Sequence, residues 1–200
     1  MQIHQQKMIH TTTQLSACLH KYYNFNNVEL DTILSAFELI SCKDRDVLIN
    51  SNKVCNQLFF VLKGVLRIAS INEKGIEVTH YFYKEEQFCT ILQSFNDETA
   101  SDAFIQACCD SDVLVISRKK LFALYETIPA LRDVIVTIQQ EKMIEKVNTR
   151  NLYLGSNALD IYKQFLLHQP DIALRVSQKD IAGYLGITPQ SLSRLRRQMH

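Results

Sequence analysis

Gln190, Ser191, Arg194, Arg196 and Arg197 form a run of polar side chains near the C-terminus whose types suit the reading of DNA. A glutamine amide can pair bidentately with adenine and a guanidinium with guanine, each good pair discriminating by about 1–3 kcal/mol. Arginines also hold phosphates, which adds affinity without sequence information. A helix is needed to present them. Leu192, Leu195 and Met199 recur at i, i+3 and i+7 and predict the stripe that faces the core. At about 100° per residue, the opposite face carries Gln190, Arg194 and Arg197. A recognition helix reads bases mainly from its N-terminal half. Gln190 and Arg194 are therefore assigned to bases, with Ser191 assisting, and Arg196 and Arg197 to phosphates. A helical hairpin with a solvated basic face is the plain alternative.

The residues just upstream predict the partner helix. Ile181, Leu185, Leu192 and Leu195 supply an apolar seam, Ala182 permits close approach, and Gly186 stands at the turn, where φ is expected to be positive. Ser177 is placed as the N-cap of the first helix, with Asp180 three residues on, close to a capping box. Thr188 caps the second helix, and Pro189 takes its first position, where a missing N–H costs nothing. Residues 176–200 thus predict a helix-turn-helix. Ser177, Gln178 and Thr188, at the two helix starts, join the candidate DNA contacts.

Composition sets wider bounds. With 200 residues and 46% hydrophobic content, the chain can bury the core of one or two domains. A net charge of +1 excludes no partner, but residues 171–200 hold five Lys/Arg against two Asp, which confines the positive end to the motif. The polar first dozen residues predict no signal peptide, and no apolar run approaches the length of a membrane span. Cys18, Cys42, Cys55, Cys89, Cys108 and Cys109 show neither C-x-x-C nor zinc spacing. Adjacent Cys108 and Cys109 would face opposite sides of a strand and are read as packing residues. A soluble, cytoplasmic protein with reduced thiols, no metal and no membrane contact is the expectation. Walker, G-x-G-x-x-G, H-E-x-x-H and G-x-S-x-G motifs are absent, so no catalytic residue is assigned. The carboxylates Asp44, Asp46, Glu85 and Glu86 are read as solvated turn charges.

Toward the N-terminus, Leu30, Ile33, Leu34 and Phe37 predict an amphipathic helix over 28–39. From Val47 short β-type runs follow, at 58–62, 65–71, 77–83, 104–108 and 113–116, with a Gly-closed hairpin turn at 72–75. They predict a small antiparallel barrel or sandwich. After Pro129 a helical period holds to about Leu154. Val136, Met143, Val147 and Leu154 recur near heptad spacing, as in a helix that pairs with its twin. Packing of that helix on its own barrel is the other reading. Gly155-Ser156-Asn157 predicts a break and a new cap. A further helix runs from Ala158 to about Gln169, and an extended segment over 172–176 leads into the motif.

The resulting order is helix, antiparallel β-barrel, long helix and helix-turn-helix, an α+β fold. LFFVLKGVLRI (Leu58–Ile68), EKGIEVTHYFYKEEQF (Glu73–Phe88) and VSQKDIAGYLGITPQSLSRLRR (Val176–Arg197) resemble the barrel strands and DNA-reading motif of the Crp/Fnr transcription regulators. YLGITPQSLSR is similar to their Bacteroidetes branch. The resemblance implies a cyclic-nucleotide-binding-like jelly-roll sensor domain with flanking helices over residues 1–128. It further implies a dimerisation helix over 129–154 and a DNA-binding domain over 155–200. The implied partners are double-stranded DNA, read by a homodimer at a palindromic site with half-sites about one helical turn apart, and RNA polymerase, for which no residue is assigned. Because the chain ends shortly after Arg197, the C-terminal hairpin wing of some members is not expected.

The same resemblance argues against cyclic AMP. In members that bind it, a Gly-Glu pair follows the strand ending at Phe88, and an Arg-Ser pair follows about ten residues later. The Glu takes the ribose hydroxyl and the Arg takes the cyclic phosphate. Here Thr90 and Ile91 stand for Gly-Glu and Ala100 for the Arg, and Ser101 alone remains, beside Asp102. A buried phosphate without its cation is heavily penalised. No cofactor is assigned, and the sensor is left to bind an uncharged effector, to bind nothing, or to serve structure alone. Ile68, His80, Phe82, Thr90, Ile91, Ala100 and Ser101 are the candidate effector contacts. Val78, His80 and Phe82 share one face by alternation, which the resemblance turns toward the cavity, leaving Tyr81 and Tyr83 to pack outward. His80 is then either a ligand-contacting or pH-sensing residue or a core histidine held by a carbonyl. Iron–sulfur sensing is not expected, since Cys18 is the one N-terminal cysteine. The rival function is a metabolite-sensing module whose C-terminal motif contacts a protein, which salt dependence would separate from DNA binding.

Overall fold

The computed structural model describes residues 13–199. The polar N-terminal dozen, on which the signal-peptide expectation rests, and His200 lie outside the described residues. A helix over 13–20 (α1) and α2 (Asn27–Ser35) precede β1 (Glu38–Cys42), β2 (Val47–Ile49), β3 (Lys53–Val54), β4 (Gln57–Lys63), β5 (Leu66–Ile71), β6 (Glu77–Tyr83) and β7 (Phe88–Cys89). After α3 (Leu92–Asp97) come β8 (Ala100–Ser101), β9 (Phe104–Ala107) and β10 (Ser111–Ser117). The rest is helical: α4 (Arg118–Thr127), α5 (Pro129–Tyr153), α6 (Ala158–His168), α7 (Pro170–Arg175), α8 (Gln178–Leu185) and α9 (Pro189–Gln198). Among the described residues no helix is long and apolar enough to cross a membrane.

The strands form two four-stranded antiparallel sheets, β1-β10-β4-β7 and β2-β9-β5-β6, with β3 and β8 as a short separate pair. The expected barrel is therefore an open jelly-roll-like sandwich. Gly64-Val65 carries the chain from one sheet to the other, so β4 and β5, although adjacent in sequence, do not pair, whereas β5 and β6 form the expected hairpin.

Alternation along the strands sorts the core into three layers. Phe59 and Val61 of β4, Val113 and Val115 of β10, and Leu66 and Ile68 of β5 meet between the sheets. Leu58, Phe60, Leu62, Leu114 and Ile116 point the other way, onto Leu15, Leu19, Ile33, Leu121, Leu131 and Val134 of the flanking helices. That is why the β4 run is apolar throughout: it is covered on both faces. A third layer, on the outer face of the second sheet, joins Val65 and Phe82 to Phe165, Ile172, Ile181, Leu185 and Leu192 of the C-terminal helices.

The local expectations differ from the structure at several places. Helix α2 stops at Ser35, and β1 begins at Glu38, well before Val47, because Leu39 is drawn into register with Leu114. Phe37 still packs on the same core, from a loop. Residues 170–175 are helical, where an extended segment is predicted. Pro170 occupies the first turn of α7, where its fixed φ starts a helix as readily as it stops one. Helix α4, capped by Ser117, and the short α3 carry no sequence signal strong enough to place them in advance.

Candidate nucleic-acid interface and effector cavity

Helix α9 is built by its own neighbours. Thr188 Oγ1 accepts from Ser191 N (3.1 Å), and Pro189 follows in the first turn. Leu192 is buried against α8 and Leu195 half-buried, while Gly186 at the turn has φ 69°, a conformation that glycine adopts without steric cost. The opposite face is free: Gln190, Arg194 and Arg197 are exposed, and Ser191 and Arg196 partly so. Arg194 Nη2 lies 3.4 Å from Ser191 Oγ, so those two side chains already share one edge. Met199 departs from its expected place in the core stripe. The helix ends at Gln198, and Met199, as its C-cap, is 42% exposed.

Helix α8 docks on the sandwich. A Cβ on Gly183 would lie 2.9 Å from the carbonyl oxygen of Glu77, so α8 lies almost directly on β6. Tyr184, beside it, packs its ring against Phe82 (5.2 Å between centroids) and Phe165 (5.8 Å). The N-terminus of α8 is held by charge. Asp180, fully buried, pairs with Arg67 Nη1 of β5 (2.6 Å) and Arg45 Nη1 (2.9 Å). Arg67 also reaches Glu77 (2.5 Å), Thr79 (3.1 Å) and Gln106 (2.6 Å), so this buried guanidinium is saturated. The Arg67 guanidinium holds the Glu77 carboxyl below its usual range.

Ser177 belongs to this network. Its hydroxyl accepts from Asp180 N (3.2 Å) and Arg45 Nη2 (2.8 Å) and donates to Asp180 Oδ2 (2.8 Å). Its committed partners lie within the protein, while Gln178 beside it is exposed. Glu85 differs from the solvated charge that its sequence neighbourhood predicts: it clamps Arg175 through two bonds of 2.5 and 3.0 Å and accepts from Gly64 N (2.8 Å). Lys84–Asp171 (2.8 Å) and Lys179–Glu77 (3.0 Å) complete the seam. The sequence signal for this docking is Arg67, a charge between Leu66 and Ile68 in a largely apolar strand run.

The second feature is a cavity of about 610 Å³ between the sandwich and α5. Of the candidate effector contacts, Ile68, His80, Thr90 and Ile91 line it; Phe82, Ala100 and Ser101 do not. Phe82 faces the C-terminal helices, and Tyr81 and Tyr83 face inward, the reverse of the phase expected from Val78 and His80. A β-bulge is the cause. Ile68 pairs with Tyr81 and Ala69 with Thr79, leaving His80 as the extra residue and resetting the phase of the strand. Ala100 and Ser101 are instead paired with Val54 and Lys53 in the small separate sheet. His80 Nε2 lies 2.9 Å from Ser70 Oγ at the exposed rim, and partial burial lowers its pKa.

Helix α5 contributes cavity residues that the sequence reading leaves out. Lys142, Glu145 and Lys146 line it, as does Met143 of the heptad stripe. Tyr81 donates to Glu145 (2.7 Å), and Lys146 Nζ donates to Tyr83 Oη (2.5 Å). Burial lowers the pKa of Lys146. Cys108 and Cys109 follow β9 in a bend, and all six cysteines are free thiols. Among the described residues no group of three or more His, Cys, Asp or Glu comes together as a metal site.

Residues 39–128 match the cyclic nucleotide-binding domain family. No curated protein matches the sequence significantly. Among solved structures, FixK2 from Bradyrhizobium japonicum shares the fold with a TM-score of 0.70 at 17% identity, covering 82% of this chain and 84% of that one. The c-di-GMP-responsive global regulator CLP of Xanthomonas campestris gives 0.70 at 13% identity, over 87% and 91% of the two chains. A transcriptional regulator of the crp/fnr family from Eubacterium rectale gives 0.68 at 18%, over 89% and 87%. The chain is thus similar to the cyclic nucleotide-binding domain family over residues 39–128 and shares its overall fold with a solved transcriptional regulator of the crp/fnr family.

Proposed function

We propose that this protein is a sequence-specific DNA-binding transcription regulator that acts as a homodimer on a palindromic site, with an effector other than cyclic AMP. The observation that carries the reading is the free face of α9, where Gln190, Arg194 and Arg197 are exposed while Leu192 anchors the helix from behind. Gln190 and Arg194, near the start of the helix, are the base readers, and Arg196 and Arg197 hold phosphates. Gln178 and Thr188 lie at the exposed starts of α8 and α9 for backbone contacts.

Self-association is supported by α5, where Val136 (41%), Met143 (47%) and Val147 (51%) stay exposed near heptad spacing with Ile144 (60%) beside them, followed by Leu154 (69%) at the C-cap. A second copy of the helix would cover that stripe. Independence from cyclic AMP is supported by Thr90, Ile91 and Ala100 in the cassette positions, with Ala100 turned into the β3–β8 pair.

Fluorescence anisotropy of the full chain on random-sequence duplex, from about 50 to about 200 mM salt, tests the reading. The affinity should fall steeply and linearly on logarithmic axes, and Arg197→Ala should reduce the slope by about 1. A flat salt dependence would instead favour a protein partner for the C-terminal motif.

A further inference from the structure

We propose that the cavity beside α5 binds a small, singly charged organic acid, with the Lys146 ammonium as its counter-charge. Lys146 Nζ lies 4.9 Å from the ring centroids of both Tyr81 and Tyr83 and donates to Tyr83 Oη at 2.5 Å. Among the described residues no carboxylate lies within 4.0 Å of it, in contrast to the other charges around the cavity. Glu85 is clamped by Arg175, Glu86 by Lys21 (2.9 Å), and Glu145 by Lys142 (2.5 Å) and the Tyr81 hydroxyl. Glu141 accepts the Tyr22 hydroxyl (2.5 Å), a bond that pushes the tyrosine pKa up to about 12.

The carboxylates of the cavity therefore each have a partner, whereas the Lys146 ammonium has a hydroxyl and two ring faces but no carboxylate in ion-pair contact. A partly desolvated cation without a counter-ion is unfavourable, and a bound anion relieves it with a charge-assisted hydrogen bond. Four carboxylates around the rim make a second negative charge on the ligand costly, which sets the charge at one. Ile68, Ile91, Ala103 and Met143 supply an apolar wall for the body of the ligand, and the volume suits a small molecule. The charge comes from α5 and not from the phosphate cassette, where Ala100 leaves no cation, so a free organic carboxylate fits better than a cyclic phosphate. Capture by Lys146 would tie the sandwich to the helix that bears the apolar stripe. Its bearing on regulation rests on the DNA-binding reading, whereas capture itself is read without DNA, so the two fail separately.

The test is calorimetric and thermal-shift titration of the full chain with benzoate, benzamide and cyclic AMP at matched ionic strength. Benzoate should bind saturably and raise Tm, and benzamide should bind at least tenfold more weakly. Lys146→Met should abolish the preference for benzoate, and Lys146→Arg should retain it. Lys146→Gln repeats the test if the methionine variant does not fold. Benzoate binding no better than benzamide, or a preference that survives loss of the lysine, overturns the proposal. Cyclic AMP bound more tightly than benzoate, and unaffected at Lys146, overturns it in favour of a nucleotide site.

Discussion

Helix α9 and the cavity beside α5 both present a few polar groups from an apolar frame, but the frames differ in origin. That of α9 is made within one stretch of chain, Ser177 to Gln198, by two caps, a glycine turn and a leucine seam. That of the cavity is assembled from β5, β6, β7 and α5, so its chemistry depends on how distant segments register. Local spacing determines which side chains α9 shows to solvent. In the cavity a single inserted residue, His80, decides which of three aromatic neighbours face inward. The two regions meet at the α8–β6 seam, where α8, and with it α9, is held against the β2-β9-β5-β6 sheet.

Breaking that seam should have the largest effect. Asp180→Leu strands the buried Arg67 guanidinium with Glu77 as its remaining carboxylate, and removal of one partner from a buried pair costs about 3–5 kcal/mol. Chemical denaturation of the full chain should show that loss, and a change under about 1 kcal/mol would mean that the seam does not hold α8. Gly183→Ala presses a methyl onto the Glu77 carbonyl. It should cost about 1–3 kcal/mol by overpacking, although alanine is the better helix former by about 1 kcal/mol. A stabilised variant in the same assay would contradict the close approach.

Arg194→Ala sharpens the contrast from the other side. The side chain is exposed and locally supported, so stability should stay within about 0.5 kcal/mol. Discrimination at one base pair should fall by about 1–3 kcal/mol, measured by competition between duplexes that differ at that pair. The smallest effect concerns His80. Burial lowers its ring pKa, so the unfolded chain takes up the proton first. Stability is therefore lost as pH falls from the ordinary histidine range through the depressed value. His80→Gln should flatten that dependence slightly in urea titrations between about pH 7 and about pH 5. The change is small because the ring stands at the exposed rim.

The legibility of the sequence follows the same division. Ser177, Thr188, Pro189 and Gly186 stand in the structure where their types predict, because caps and tight turns depend on the nearest few residues. The length of α5 and the break at Gly155 are legible for the same reason. The orientation of Phe82 is not. Strict alternation is a rule for regular strands, and the extra residue at His80 leaves no mark in the local pattern. Lys146 escapes notice because a lysine on a long polar helix looks solvated until Tyr81 and Tyr83 are brought over it. Arg67 carries a weak signal, a charge flanked by apolar strand residues, whereas Glu85 sits in the charged turn Lys84-Glu85-Glu86 and carries none; their partners Asp180 and Arg175 lie too far along the chain for spacing to pair them.

The measurement that tests the central claim most directly is selection of bound sequences by the purified full chain from a randomised duplex pool at moderate salt. The account predicts an enriched palindrome whose half-site centres lie about one helical turn apart, with the preference at one position of each half-site relaxed by Arg194→Ala. A pool that stays random, or an enriched sequence that Gln190→Ala and Arg194→Ala leave unchanged, would contradict it.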